Sequence, residues 1–491
     1  MKKALFLLTL LLAAMHSPVL ADGDKNFLYA PAVIAESVPL ETSYGSSLTR
    51  RAPELWLELF SGAQKSIDIE VFYIDSRENT ALAEVLSAIK SAAGRGVKVR
   101  IIIDSVFYKK MPKTADELKA VKGIELRVIN FGKLGGGIMH AKYFVIDVES
   151  VYLGSQNFDW RSLEQIHEVG VLVRNGQLAS NFLDVFNLDW QLADNPVKPA
   201  KMPAALHPAT RQNPVTLSFQ APVGESGTGD VIAITPADTQ NSDTGQNSGA
   251  ETASDSGASQ NDYTQDSSET YHVGFISGGD ESSASVAAPE TAPVSGNGDT
   301  VTAYSAISPA DFTPKGLDKE ITELLHIIAS AKKSLKIQVM NFKIKKGKSS
   351  WTELDAALRA AAGRGVKVQL IVADWTMYGA GADFIKDLSR TKNIEIKVSA
   401  IPQYSKEFVE FARVEHCKYM TADGIYSFVS TSNWEYDYFY KSRNAAIILK
   451  GAPIAQALED VFSIDWNSPY ASAVDINREY KAPDRNKPTA N

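Results

Sequence analysis

The sequence predicts an α/β protein of two duplicated lobes, each a mostly parallel mixed sheet flanked by helices. Three observations carry this. AAGRGVKV stands at 92–99 and again at 361–368, an offset of 269. Matched segments flank it: QKSIDIEVFYI (64–74) parallels KKSLKIQVMNF (332–342), and DVFNLDW (184–190) parallels DVFSIDW (460–466). Within each copy a period-two apolar run, a helical stretch and a second apolar run follow in order, which implies a right-handed crossover between parallel strands. A long repeat resets the architecture. The 491 residues divide into two related lobes and a spacer rather than three independent domains.

The elements follow in chain order. Residues 1–21 read as a secretory signal, with Lys2 and Lys3, the apolar run Ala4–Ala14 and small residues at Val19-Leu20-Ala21. That run is about half the ~20 residues needed to span a bilayer. The expectation is therefore export, to a periplasm or beyond, with no stable membrane anchor. The first lobe, 22–211, alternates Ile67, Ile69, Val71 and Tyr73 in one strand. A helix over Thr80–Ala93 follows, stopped by Gly94, then the strand VKVRIIID. The Gly-Arg-Gly reads as helix termination, since it lacks the spacing of a phosphate loop. Residues 212–300 are rich in Ser, Gly, Thr and Asn, with 13 acidic residues and no Lys or Arg. Such a stretch buries too little apolar area to offset chain entropy and reads as a disordered acidic linker. The second lobe, 301–477, repeats the pattern with Leu335, Ile337 and Val339, a helix over Trp351–Ala362 and VKVQLIVAD, before a flexible tail at 478–491.

Charge changes meaning once the chain is divided. Fifty Lys and Arg against 58 Asp and Glu give −8, which argues against a partner held by charge alone, such as nucleic acid. Without the linker and the signal the folded body carries +3. The lone cysteine, Cys417, excludes a disulfide framework and a metal cluster built on cysteines.

Each copy then places His-x-Lys and, five residues past the lysine, an acid: His140, Lys142 and Asp147; His416, Lys418 and Asp423. Beyond them lie the small polar clusters containing Ser155 and Asn157, and Thr431 and Asn433. Eleven residues past each asparagine stand Glu168 and Asn444. In a strand, His and Lys two apart share a face, roughly 6.6–6.8 Å apart, so an imidazole and an ammonium converge on one anion. Ala141 and Cys417 point the other way, so Cys417 reads as a small buried apolar residue.

HAKYFVIDVESVYLGSQN and HCKYMTADGIYSFVSTSN resemble the paired HxKxxxxD motifs of the phospholipase D superfamily. LGSQNFDWRSL, ARVEHCKYM, STSNW and DWNSPY are similar to one branch, the lysosomal 5′ exonucleases historically named phospholipases D and the related poxvirus envelope phospholipases. The resemblance implies a bilobal phosphodiesterase with one active site at a pseudo-twofold interface, using both motifs and no metal or other cofactor. This chain departs from the branch at Ser430, at Asn444, in the acidic insertion and in lacking the usual disulfides.

The residue types support that chemistry. Two lysines and two asparagines supply donors for charge developing on a phosphodiester oxygen. One histidine can attack phosphorus and the other serve as acid and base. Asp147 and Asp423 orient the lysines or strand ends. A carboxylate on one ring nitrogen strengthens the other as nucleophile. Glu168 beside His140 and Asn444 beside His416 would make His140 the nucleophile. Single-stranded nucleic acid is the favoured substrate, with Trp434, Tyr436, Tyr438, Phe439 and Tyr440 as a stacking platform and Lys109, Lys110 and Lys113 as a small basic cluster. Phospholipid is the second.

Overall fold

The structure is a computed structural model and describes residues 30–219, 300–346 and 348–481. The signal at 1–21 lies outside these residues, as do 220–299 of the linker and 482–491 of the tail.

Both lobes share one strand order. In the first it runs Arg50–Arg51, Ala32–Ser37, Glu168–Arg174, Ser150–Gly154, Lys142–Ile146, Ser66–Val71, Lys98–Asp104, Ile124–Ile129. The second repeats its core as Thr300–Ser308, Asn444–Lys450, Tyr426–Ser430, Lys418–Ala422, Ser334–Val339, Lys367–Ala373, Ile394–Ser399. The expected crossover is present: Ser66 pairs with Lys98 and Ser334 with Lys367, in parallel register. Parallel pairing is mostly confined to that half. The strands that follow each His-x-Lys pair antiparallel with both neighbours; three residues join each to the next strand, too few for a crossover.

The linker boundary also moves. Val215–Ser218 forms a strand against Thr300–Val301 and its neighbours, and its alternating Val215 and Leu217 are buried. The apolar pair at the start of the acidic stretch thus belongs to the second sheet.

Helices cover the sheets by their apolar stripes. Ala81–Gly94 buries Leu82, Val85, Leu86 and Ile89, and Glu353–Gly363 buries Leu354 and Leu358. Gly94 and Gly363 are the last helical residues. The left-handed turn is taken two residues on, by Gly96 at φ +94° and Gly365 at φ +92°, a conformation only glycine adopts freely. One continuous apolar cluster runs through both lobes, joining Tyr143 and Phe182 to Ile337 and Val461. It seats the two His-x-Lys strands against each other.

Candidate active site

The two motifs meet through backbone. The His140 N–H donates to the Arg443 carbonyl and the Arg443 N–H to Ile138, both at 2.9 Å. Across the pseudo-twofold, the His416 N–H donates to the His167 carbonyl at 2.9 Å and the His167 N–H to Val414 at 3.1 Å. Each histidine is therefore fixed by the strand that carries the other lobe's downstream residue.

That exchange reverses the expected partners. His416 Nδ1 lies 2.7 Å from Glu168 Oε2, and His140 Nδ1 lies 3.0 Å from Asn444 Oδ1. The sequence-based expectation paired Glu168 with His140; the lobes face one another, so each downstream residue reaches across. The Asn444 amide is oriented by donating to the Tyr438 carbonyl at 2.9 Å, so its oxygen accepts the His140 Nδ1–H. Glu168 is fully buried, and the His416 side chain retains 12% exposure.

Lys142 and Lys418 are buried, each donating Nζ to the carbonyl two residues before it, His140 and His416, at 2.7 Å. Burial, then the Lys418 charge, holds Lys142 well below the ordinary lysine range. Burial lowers Lys418 to about 8 against the pull of Glu168. The histidines are lowered too. Burial and the two lysines depress His140 strongly, while Glu168 offsets part of the burial of His416. Four basic groups crowded around one carboxylate, each lowered by burial, make a pocket poised for an anion.

The remaining candidates divide. Asn157 and Asn433 are buried with Oδ1 unpartnered. The hydroxyls of Ser155 and Thr431 are occupied by neighbouring strands: Ser155 Oγ accepts from Val169 N at 3.1 Å, and Thr431 donates to Asn444 Oδ1 at 2.9 Å. They position the histidine partners. Asp147 and Asp423 stand at hairpin turns, five strand residues or roughly 16 Å of chain from the lysines. Asp147 accepts from the amides of Gln64, Lys65 and Ser66, and Asp423 from those of Lys332, Lys333 and Ser334. They staple strand ends, far from the chemistry. Of the aromatic cluster, Trp434 and Phe439 are buried core, Tyr436 and Tyr440 stack on each other, and Tyr438 presents an edge to His140 at 4.7 Å.

Sequence reasoning missed Phe72, edge-on to His140 at 4.9 Å, and Phe107, 4.1 Å beyond it. It also missed Arg443 and Asp189, although the aspartates of the repeated DVFxxDW segments were a visible signal. Ser430, a departure from the resembled branch, has a local reason. A Cβ at its counterpart Gly154 would stand 2.2 Å from Gln156 Oε1, whereas Ser430 donates to Glu320 at 2.5 Å. Ser308 and Ser432 donate to the same buried carboxylate, and burial raises it to about 7. A raised carboxyl favours the protonated native state, so this group's contribution is lost as pH rises from about 4.5 to about 7, at a cost of about 3 kcal/mol. Thermal unfolding across that window is expected to be flatter for Glu320→Gln than for the unaltered chain.

Paired imidazoles and ammonium groups on a twofold interface define an enzyme that acts on phosphodiesters. The sequence profile described as "Cardiolipin synthase, PLD-like domain" matches residues 56–190 and 324–466. The chain belongs to this phospholipase D-like family. It is similar to phospholipase D Z of Dictyostelium discoideum, 28% identical over 96% of this chain and 99% of that protein. It is also similar to the 5′-3′ exonuclease PLD3 of Bos taurus, 27% identical over 90% of this chain and 81% of the relative. Phosphatidylserine synthase from Haemophilus influenzae Rd KW20 shares the fold, with a TM-score of 0.53 and 10% identity over 92% of this chain and 90% of that one.

Proposed function

We propose that the protein is an exported nuclease that cleaves single-stranded nucleic acid through a phosphohistidine on His416. The observation that carries the mechanism is the crossed pairing. An attacking imidazole gains positive charge as its Nε2 bonds to phosphorus. The Glu168 carboxylate on Nδ1 stabilises that charge, and the neutral Asn444 amide cannot do so equally. His416 attacks, the phosphorus–oxygen bond to the leaving group breaks, and His140, which holds a proton on both nitrogens once the anionic phosphodiester offsets the lysine charges, gives its Nε2 proton to that oxygen. In the second step His140 takes a proton from water, which displaces His416 from phosphorus. Lys142, Lys418, Asn157 and Asn433 supply donors to the non-bridging oxygens, so the charge balance of both steps closes within the protein.

Nucleic acid is favoured by the path of rings leaving His140. Phe72 and Tyr438 flank the imidazole, Phe107 packs on Phe72, and Tyr73 stacks on Phe107 at 5.2 Å and 22°. Phe107 is half-buried, on a short helix with exposed Lys109 and Lys110. Rings and cations in sequence suit splayed bases and a phosphate backbone. A relative named as an exonuclease supports this reading, and one named as a phospholipase D supplies the rival. Export rests on the pattern of residues 1–21; among the described residues no helix is long and apolar enough to cross a membrane.

A 5′-unphosphorylated single-stranded oligonucleotide and phosphatidylcholine vesicles, each with a His416→Ala control, separate the two. The oligonucleotide is expected to be cleaved and the lipid left intact; lipid turnover with inert oligonucleotide would reverse the reading. The pH profile of kcat/KM reports the free enzyme. His416 must be neutral to attack, and burial lowers it, so the acid limb is expected below pH 6.5. His140, Lys142 and Lys418 must keep their protons and burial lowers all three, Lys418 to about 8, so activity is expected to fall as the pH rises and to be lost above about 8.

A further inference from the structure

The side chains that alternate with Glu168 and His416 point to the opposite face of their strands, by the two-residue period of extended chain. There His167, Glu415 and Cys417 meet, all fully buried, with one ligand atom from each within 4.8 Å of the others. His167 Nδ1 lies 2.8 Å from Glu415 Oε2 and 3.6 Å from Cys417 Sγ. Asp465, from the helix Ala452–Asn467, brings Oδ2 to 3.5 Å from the same nitrogen. We propose that His167, Glu415 and Cys417, with Asp465 beside them, form a buried site for Zn²⁺ that staples the two lobes behind the catalytic histidines.

Three features point to an ion rather than a simple hydrogen-bonded cluster. The first is spacing. Tetrahedral zinc with bonds of about 2.0 Å to nitrogen and 2.3 Å to sulfur sets those atoms about 3.5 Å apart; the nitrogen–sulfur separation is 3.6 Å. Only Glu415 stands closer, at 2.8 Å, and would withdraw by about half an ångström on binding. The second is Asp465 itself. It is 1% exposed and its Oδ1 has no hydrogen-bond partner. Its Oδ2, the oxygen nearest the imidazole, accepts from Gln338 Nε2 at 2.6 Å, and a cation beside the cluster would balance a buried carboxylate that has one oxygen unpartnered. The third is the far side of the imidazole. His167 Nε2 lies 3.1 Å from Glu36 Oε1, and Glu36 is itself held by Ser46, Thr49 and Arg51. A carboxylate that orients the second nitrogen is the usual support of a metal-bound histidine.

The pseudo-symmetric position gives the comparison. There Asp189, the counterpart of Asp465, is neutralised by Arg443, the counterpart of His167. A fixed guanidinium fills one clamp, and the other offers an imidazole, a thiol and three carboxylates, including Glu36. Soft and borderline donors of this kind select zinc over hard cations. The three ligands are fully buried on the strand face away from the catalytic histidines, which suits a structural ion. The ion would fix the His167 carbonyl that holds His416 and would take no part in bond breaking. The lone cysteine, which excludes a cluster of cysteines, leaves a mixed site open.

The test uses the full chain, unfolded with chelator and refolded with Co²⁺, which reports thiolate ligation by a near-ultraviolet charge-transfer band. About one cobalt per chain is expected, with the band present, and about one zinc per chain in protein refolded with Zn²⁺. Cys417→Ser is expected to lose the band, and His140→Ala, outside the cluster, to keep it. Metal below about a tenth per refolded chain, or a band undiminished in Cys417→Ser, would overturn the proposal and leave an imidazolium held by carboxylates. Should Cys417→Ser fail to fold, the band and stoichiometry of the unaltered chain decide.

Discussion

The His416→Ala enzyme is expected to form no phosphoenzyme and to lose activity by a factor on the order of 10⁴ or more, as removal of a nucleophile does. The His140→Ala enzyme is expected to differ in kind. Its nucleophile and the Glu168 carboxylate at 2.7 Å remain, so the first step proceeds with a substrate whose leaving group needs no proton, such as a nitrophenyl phosphodiester. The second step then lacks its base. Phosphate accumulates on His416, and turnover falls by about 10²–10⁴-fold. Rapid acid quench followed by mass spectrometry of the intact chain separates the two variants. Phosphate retained on His416→Ala but absent from His140→Ala would restore the opposite assignment. Glu168→Gln sharpens the contrast. It keeps a hydrogen bond to His416 Nδ1 and removes the charge, so phosphoenzyme formation slows while the fold persists.

How much of this could be read from sequence follows from what a repeat encodes. The repeated strand, helix and strand carried the lobes and their crossover, because period-two and helical apolar patterns are local. The motifs His140-x-Lys142 and His416-x-Lys418 carried the paired imidazoles and ammonium groups for the same reason. Partnership was not local. Glu168 lies 28 positions past His140 in the chain yet bonds to His416, because the twofold turns each downstream strand towards the opposite motif. Sequence spacing, equal in both copies, contains no trace of that crossing. Asp147 and Asp423 were read as orienting the lysines or the strand ends, and the strand ends are what they hold. Their fixed distance from the lysines measures the length of a strand whose far end they cap.

The duplication is also uneven in a way that matters chemically. Glu168 faces Asn444, Gly154 faces Ser430, and His167 faces Arg443 at equivalent points of the strand order. A symmetric site would give both histidines the same basicity and no preferred direction of attack. A carboxylate behind one and a neutral amide behind the other give the two imidazoles different surroundings, the asymmetry on which the proposed split between nucleophile and acid rests, and a slight change of sequence accomplishes it.

Arg443→Met is expected to produce the largest loss of stability, about 3–5 kcal/mol, because it strands a buried charge. Arg443 has no solvent exposure and grips Asp189 through Nε at 2.5 Å and Nη2 at 2.8 Å. Its remaining donors reach the carbonyls of Ser308 and Phe312 at 2.9 Å. Glu70 lies close enough for burial and the Asp189 charge to raise its carboxyl well above the usual range. Without the guanidinium, Asp189 faces that acid unpaired in the apolar seam that joins the lobes. The measurement is urea unfolding, read as a fall in midpoint. Arg443→Met combined with Asp189→Leu is expected to recover much of the loss, since the pair is then replaced rather than broken. A double variant no more stable than Arg443→Met alone would show that the arginine acts through the Ser308 and Phe312 carbonyls, with the ion pair contributing little. The His140 N–H bonds the Arg443 main chain, so the same substitutions report how far a buried clamp governs the aim of the acid. If recovery of stability also restores turnover, the clamp serves the site by holding the lobes together.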